Sequence, residues 1–443
     1  MLQLAVPLVL AELGWVGMGV VDTMMVGRVS AEAMGAVSLG SVMFYAVAVL
    51  GSGLMLGLDT LVSQSFGAGD LMDCHRSLVS AIYFSLPVTP VLMLLMWCSI
   101  PLLGLFGINP AVLRDAVPYL KAIMWSTFPL ILFFALRRYL QGMSRATPIM
   151  FALVTANLVN LAGNWILVYG HFGAPAMGAE GSGWATCISR VYMVAVLAGY
   201  ALYQGRHNGL FRASLAPDLG RIRRLIALGF PAAAQLSLEI GVFAVATAII
   251  GTLDSLSLAA HQIAINTASV TYMVPLGIGS AAAVRVGQAL GRGDPQAAGR
   301  AGWTAMALGA GFMAAAGVAL IAALEYVARA FTTDRGVIQT AVSLLAVAAL
   351  FQLFDGIQAV ATGALRGTGD TRTPMLCHML FYWLVGLPLG CVLCFRLHWR
   401  AVGLWMGLCV ALILIGCVLL VVWSRKVRAM AARPAVAPLI GPN

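Results

Sequence analysis

Apolar residues run through this chain in long, unbroken stretches, separated by short segments where Gly, Pro, Asp and Arg gather. At 1.5 Å per residue, a helix of ~20 apolar residues crosses the hydrocarbon core of a bilayer. Runs of that kind fall near 2–26, 33–58, 77–100, 116–136, 148–169, 182–203, 225–251, 257–286, 301–324, 337–364, 375–396 and 401–423. A transmembrane β-strand would be half as long and would alternate apolar with polar positions. These runs do neither, so the pattern predicts an all-α integral membrane protein of twelve transmembrane helices.

Composition agrees. Of 443 residues 61% are hydrophobic and 9% charged, whereas a soluble domain carries roughly 25% charged residues. There is too little charge to coat a water-soluble globule. The eight cysteines lie almost wholly in the apolar runs. Cys391 and Cys394 form a CxxC, but a zinc site needs four clustered ligands, and this pair sits in a Val/Leu-rich helix as apolar filler. The first run lacks a basic leader and carries Glu12 and Asp22, so it reads as a retained span and not a cleavable signal.

The net charge of +10 matters through its placement. With the N-terminus inside, eighteen Lys/Arg fall on the cytoplasmic side, among them Arg76, Arg137, Arg138, Arg145, five between Arg206 and Arg224, and Arg425, Lys426, Arg428 and Arg433. Seven (Arg28, Arg114, Lys121, Arg329, Arg335, Arg396 and Arg400) fall outside, and Arg190 lies within a span. This is the positive-inside bias. Both termini are expected in the cytoplasm, and the basic excess reads as topology, with no nucleic-acid partner.

The chain also repeats itself. A shift of 224 residues brings Pro7 onto Pro231, Gly27 onto Gly251, Gln64 onto Gln288, Gly67-Ala-Gly-Asp70 onto Gly291-Arg-Gly-Asp294 and Arg76 onto Arg300. One residue later Leu140-Gln-Gly142 matches Leu365-Arg-Gly367. Each half therefore holds six spans, and an even number makes the repeat parallel, the plan of transporters that rock two bundles about a central site. The expected organisation is an N-terminal lobe 1–203, a cytoplasmic inter-lobe loop 204–224, a C-terminal lobe 225–430 and a disordered cytoplasmic tail 431–443.

Ionisable groups inside spans are costly, so each is a functional candidate. They are Glu12, Asp22, Asp59, Glu239, Asp355 and Arg190. Asp22 lies toward the outer half of the first span, about 22 Å along it from Pro7; Glu239 and Asp355 lie near mid-span in the seventh and tenth. The shift sets Trp15 opposite Glu239 and Ala246 opposite Asp22, so each half carries its own acid. A carboxylate buried without a fixed partner is a place to exchange a proton, a sodium ion or an organic cation. Asp22, Glu239 and Asp355 are read that way; Glu12 and Asp59, nearer the cytoplasm, are read as structural. In the fifth span Asn160 and Asn164 share a face. The pairs Gly53/Gly57, Gly363/Gly367 and Gly386/Gly390 are small-xxx-small packing signals. No phosphate loop, catalytic triad or metal cluster is present in the sequence.

These motifs resemble the MATE (multidrug and toxic compound extrusion) family, NorM-type branch, over essentially the whole chain. The resemblance rests on Pro7, Val21-Asp-Thr-Met-Met-Val-Gly27, Gln64-Ser-Phe-Gly-Ala-Gly69, Leu140-Gln-Gly142 with Pro148, Ala259-Ala-His-Gln262, Val274-Pro-Leu-Gly277 and Ala364-Leu-Arg-Gly-Thr-Gly-Asp-Thr-Arg-Thr-Pro374. It implies a multidrug efflux antiporter of the bacterial inner membrane. Such a protein exports lipophilic organic cations in exchange for Na+ or H+ by alternating access, without enzymatic activity or cofactor, as a monomer in membrane lipid. Carried over, an N-lobe cation site comprises Asp22, Asn160, Asn164 and Thr186. A C-lobe cation and substrate site comprises Glu239, Tyr272, Asp334 and Asp355, and Pro7 marks a bend in the first helix. This chain departs from the family pattern at Asn164, an acid in some branches, and at Phe351, where many members have Tyr. The alternatives are a lipid-linked-precursor flippase of the same superfamily, a membrane-embedded enzyme and a channel. The first needs several central cations where the sequence offers Arg190 alone.

Overall fold

The computed structural model describes residues 1–101, 103, 109–209 and 216–432. Among these there are helices and no strand. In chain order they are α1 (Leu2–Gly27), α2 (Ala31–Met55), α3 (Gly57–Gly67), α4 (Leu71–Ser99), α5 (Pro110–Met124), α6 (Thr127–Gly142), α7 (Thr147–Tyr169) and α8 (Gly178–Asn208). Then come α9 (Leu219–Gly251), α10 (Ser255–Gly291), α11 (Pro295–Phe331), α12 (Arg335–Gly367), α13 (Arg372–Arg396) and α14 (Arg400–Ala431). Among the described residues eleven helices are long and apolar enough to span a membrane, twelve if the bent pair α5 and α6 is one span.

The fourth span, expected as one helix over 116–136, is broken: α5 and α6 meet at 46°. Pro129 has no N–H for the carbonyl of Trp125. The chain answers with tighter bonds, Trp125 N to Ala122 O and Ser126 N to Ile123 O, and Thr127 Oγ1 donates to Met124 O at 2.7 Å. Two π-helical stretches, Met379–Gly386 and Val392–Arg396, interrupt α13. The helices also outrun the apolar stretches at the polar ends. α8 continues to Asn208 and α9 starts at Leu219, so much of the expected 204–224 loop is helix, with 210–215 outside the described residues. Of the expected tail, 433–443 lie outside them as well.

The internal repeat extends to single hydrogen bonds. Ser30 and Asp254, 224 residues apart, are both extended residues that cap the next helix, accepting from Ala33 N and Ser257 N. At the other end of the spans one turn recurs four times. Asp70 N bonds Ser65 O, Asp294 N bonds Ala289 O, Asp370 N bonds Leu365 O and Arg145 N bonds Leu140 O. Each is the six-to-one bond that closes a helix with a left-handed residue just before it. That residue is Gly69 (φ 79°), Gly293 (φ 73°), Gly369 (φ 87°) and, at a steric cost, Ser144 (φ 61°).

Two compact units result: Leu10–Ala233, and Met1–Val9 with the described residues from Ala234 on. In the first, Gly163 meets Ala185 and Gly181 meets the Leu167 backbone, drawing α7 onto α8. Gly53 and Gly57 meet Ala233 and Leu225 on the opening turns of α9. In the second, Gly279, Gly363 and Gly367 bring α10 and α12 into backbone contact, and Gly386, Gly390, Gly403 and Gly407 do the same for α13 and α14. Close approach of small residues is how helices associate where lipid supplies no hydrophobic drive.

Candidate functional site: a buried carboxylate cluster in each unit

In the Leu10–Ala233 unit, Asp22 of α1 is 6% exposed and takes three donors. Asn164 Nδ2 reaches Oδ1 at 2.7 Å, Asn160 Nδ2 the same oxygen at 3.0 Å, and Thr186 Oγ1 reaches Oδ2 at 2.8 Å. Asn160 and Asn164 stand one turn apart on α7. The close α7–α8 packing at Gly163 turns Thr186 toward the same point. The structure thus brings together all four residues expected for this lobe. Asn164 Oδ1 is buried and has no hydrogen-bond partner. As bonded here, both amides present N–H groups to the carboxylate, and Asn160 Oδ1 accepts from Asn164 Nδ2 at 3.1 Å.

The other unit is built differently. Glu239 of α9 is 8% exposed. Tyr272 Oη donates to its Oε1 at 3.1 Å, Gln358 Nε2 to the same oxygen at 3.2 Å, and Gln235 Nε2 to Oε2 at 2.9 Å. Gln358 also donates to Asp355 Oδ1 at 3.2 Å. One amide nitrogen therefore bridges two carboxylates, whose oxygens lie no more than twice that distance apart. His378 of α13 completes the cluster. Its Nδ1 lies 2.8 Å from Pro374 O and its Nε2 3.3 Å from Gln235 Nε2 and 3.5 Å from Glu239 Oε2. In the neutral ring Nδ1–H donates to Pro374 and Nε2 accepts from Gln235.

Of the C-lobe residues expected from sequence, Glu239, Tyr272 and Asp355 share this cluster and Asp334 does not. Asp334 caps the start of α12, accepting from Gly336 N at 2.7 Å and Val337 N at 3.1 Å, and is exposed. It stands about 30 Å along α12 from Asp355. Its short side chain before a helix is doing what Asp does at an N-cap. Phe351, one turn before Asp355, offers no oxygen and is buried against Trp405, with ring centroids 5.9 Å apart. Three members, Gln235, Gln358 and His378, went unread in the sequence. Helical spacing carried a signal for two of them, Gln235 being four residues before Glu239 and Gln358 three after Asp355.

The remaining buried acids are paired. Arg137 Nη2 bonds Glu12, and Arg138 Nη1 lies 3.4 Å from Asp59 Oδ2. Both pairs fix α6, one to α1 and one to α3. A buried ion pair with both partners present is a structural tie, and losing one partner strands the other charge.

Two buried carboxylate clusters in a repeated helical chain describe a transporter, and comparison with known proteins decides which kind. The MatE family model matches residues 7–166 and again 231–392, two stretches that begin 224 residues apart. The chain belongs to the MatE family. Curated relatives span the MatE chain nearly end to end. A probable multidrug resistance protein NorM of Mesorhizobium japonicum is 36% identical over 96% of this chain and 93% of its own. The multidrug resistance protein PmpM of Pseudomonas aeruginosa is 35% identical over 93% and 88%. Among solved structures, the eukaryotic MATE transporter AtDTX14 matches with a TM-score of 0.88 at 24% identity, covering 97% of both chains. An outward-facing multidrug resistance MATE family transporter of the MOP superfamily matches at 0.86 and 16%, over 98% and 96%. At these identities the structures speak for the fold. This MatE chain is a multi-pass membrane transporter and not an enzyme.

Proposed function

We propose that this chain exports lipophilic organic cations, drugs and dyes among them, across the bacterial inner membrane in exchange for Na+ or H+. The observation that carries the reading is the bridging of Glu239 and Asp355 by one Gln358 amide. Two carboxylates bridged by one amide and buried away from water do not both stay ionised without a cation. A coupling ion and a cationic substrate then compete for one charge, and by linkage each lowers the other's affinity. The Asp22 cluster supplies a second cation site of different make, with Asn160, Asn164 and Thr186 as its neutral ligands. The multidrug names of the relatives support the substrate class.

The rest of the proposal concerns organisation. Two six-span lobes, 1–203 and 225–430, alternate access as a monomer, with the 204–224 connection and both ends in the cytoplasm. Pro7 lies inside α1, where its missing N–H leaves the carbonyl of Gln3 without its helical bond. This makes a weak point about which α1 bends as Asp22 changes its partner. The test is dye uptake into everted vesicles, the direction that corresponds to export from the cell, under an imposed pH gradient and, separately, an imposed Na+ gradient. Uptake driven by either supports antiport; uptake driven by neither contradicts it.

A further inference from the structure

Arg190 follows Thr186 by one turn on α8, and Thr186 is bonded to Asp22. The guanidinium nevertheless does not bond the carboxylate. It donates to Ser126 at the α5/α6 break. Its central carbon lies 4.4 Å from the Phe44 ring centroid and 5.8 Å from that of Trp15, which itself packs against Phe134 at 5.7 Å. The side chain is 6% exposed, and its Nε has no hydrogen-bond partner. A guanidinium away from water is best satisfied by a carboxylate taking two N–H groups at once. Here a buried cation within a turn of a carboxylate rests on ring faces instead, with one donor unmet. Swung onto Asp22, both Nε and a terminal nitrogen would find acceptors.

We infer that the Trp15–Phe44 box is a subsite for the flat cationic group of an organic cation, and that Arg190 is its resident occupant, exchanging between the box and Asp22. The inference rests on reading Asp22 as an ion-exchanging carboxylate. Three cations, Arg190, the coupling ion and the substrate, then share two places. Arg190 always fills one of them. When the coupling ion takes Asp22, Arg190 returns to the box and expels the substrate; when the substrate takes the box, Arg190 moves to Asp22 and expels the ion. The tethered cation thus makes the two mobile ones exclude each other.

The test is equilibrium binding of ethidium, a planar aromatic cation, to the purified protein in detergent, followed by addition of NaCl or acid. A ring face under a cation is worth about threefold to thirtyfold in affinity. With the other cluster neutralised by Glu239→Gln in every sample, Arg190→Gln removes the competitor at the box, so ethidium held there should bind tighter by a factor in that range and no longer be released by the ion. Adding Phe44→Leu to that variant should reverse the gain. Arg190→Lys keeps the charge without the flat face and serves if the Gln variant does not fold; ethidium should bind it more tightly and still be released. Unchanged or weaker ethidium binding in the Arg190 variants overturns the exchange. The underlying reading fails separately: in that Glu239→Gln background, ion-driven release persisting in Asp22→Asn removes Asp22 from coupling whatever Arg190 does.

Discussion

Gly363→Ala tests whether the α10–α12 approach sets the geometry of the Glu239 cluster. A Cβ at Gly363 would stand 2.5 Å from the carbonyl carbon and 2.8 Å from the Cα of Gly279. Carbon atoms pack at about 3.5–4.0 Å, so the helices must separate by roughly 1 Å. Both contacts are backbone, and no rotamer change relieves them. Overpacking of this kind costs about 1–3 kcal/mol. The same shift reaches the site. Tyr272 is on α10 and Gln358 on α12, and both bond Glu239 Oε1. A misplacement near 1 Å costs on the order of 100-fold in a process that depends on such positioning. The variant should therefore melt several degrees lower in detergent and lose most dye efflux at matched expression. Gly311→Ala, where a Cβ meets nothing within 4 Å, is the control and should be neutral or slightly stabilising. If Gly363→Ala matched Gly311→Ala in melting and efflux, the close approach would not be what holds the cluster.

Three further outcomes follow from the same structure. Asp22→Asn keeps the shape and removes the charge that Asn160, Asn164 and Thr186 surround; efflux should fall to background in a resistance assay, and full resistance at normal expression would make Asp22 structural. Cysteines placed at Gln204 and Gly173 in a Cys-free background should label from the cytoplasm and from outside respectively, and external labelling at 204 would invert the topology. Burial pushes the Asp370 carboxyl up, but the bonds from Lys426 Nζ at 3.0 Å and Thr373 N prevail and hold it below the usual carboxylate range. A carboxyl depressed on folding contributes stability above about pH 4 and loses it as pH falls further. Lys426→Met should therefore flatten the acid limb of melting temperature against pH, and an unaltered limb would show that the pair contributes nothing.

The spans were legible because a bilayer imposes one requirement, about twenty apolar residues, that nothing else in the chain satisfies. The break at Trp125–Ser126 was not, although Pro129 marks it, because apolar periodicity continues through a bend. The repeat was legible and runs deeper than residue identity: Ser144 adopts the left-handed turn that Gly69, Gly293 and Gly369 adopt more easily. Asn160 and Asn164 declared themselves by spacing. Thr186 entered by resemblance, since no local pattern on α8 points across to α1. Asp334 also entered by resemblance; in the structure it accepts two backbone N–H groups at the start of α12, away from Glu239 and Asp355. His378 had no sequence signal, being brought to Glu239 from a helix 139 residues further along the chain.

If Glu239 and Asp355 hold one exchangeable positive charge between them, as proposed, equilibrium binding of a fluorescent lipophilic cation in detergent will report it, titrated with Na+ and with acid, in wild type, Glu239→Gln and Asp355→Asn. Glu239→Gln is expected to lose the dye binding that this cluster holds and its displacement by the coupling ion together, because one charge serves both, and Glu239→Asp to keep part of each. Normal dye binding with undiminished ion-driven release in both neutralised variants would contradict the account and move coupling to Asp22.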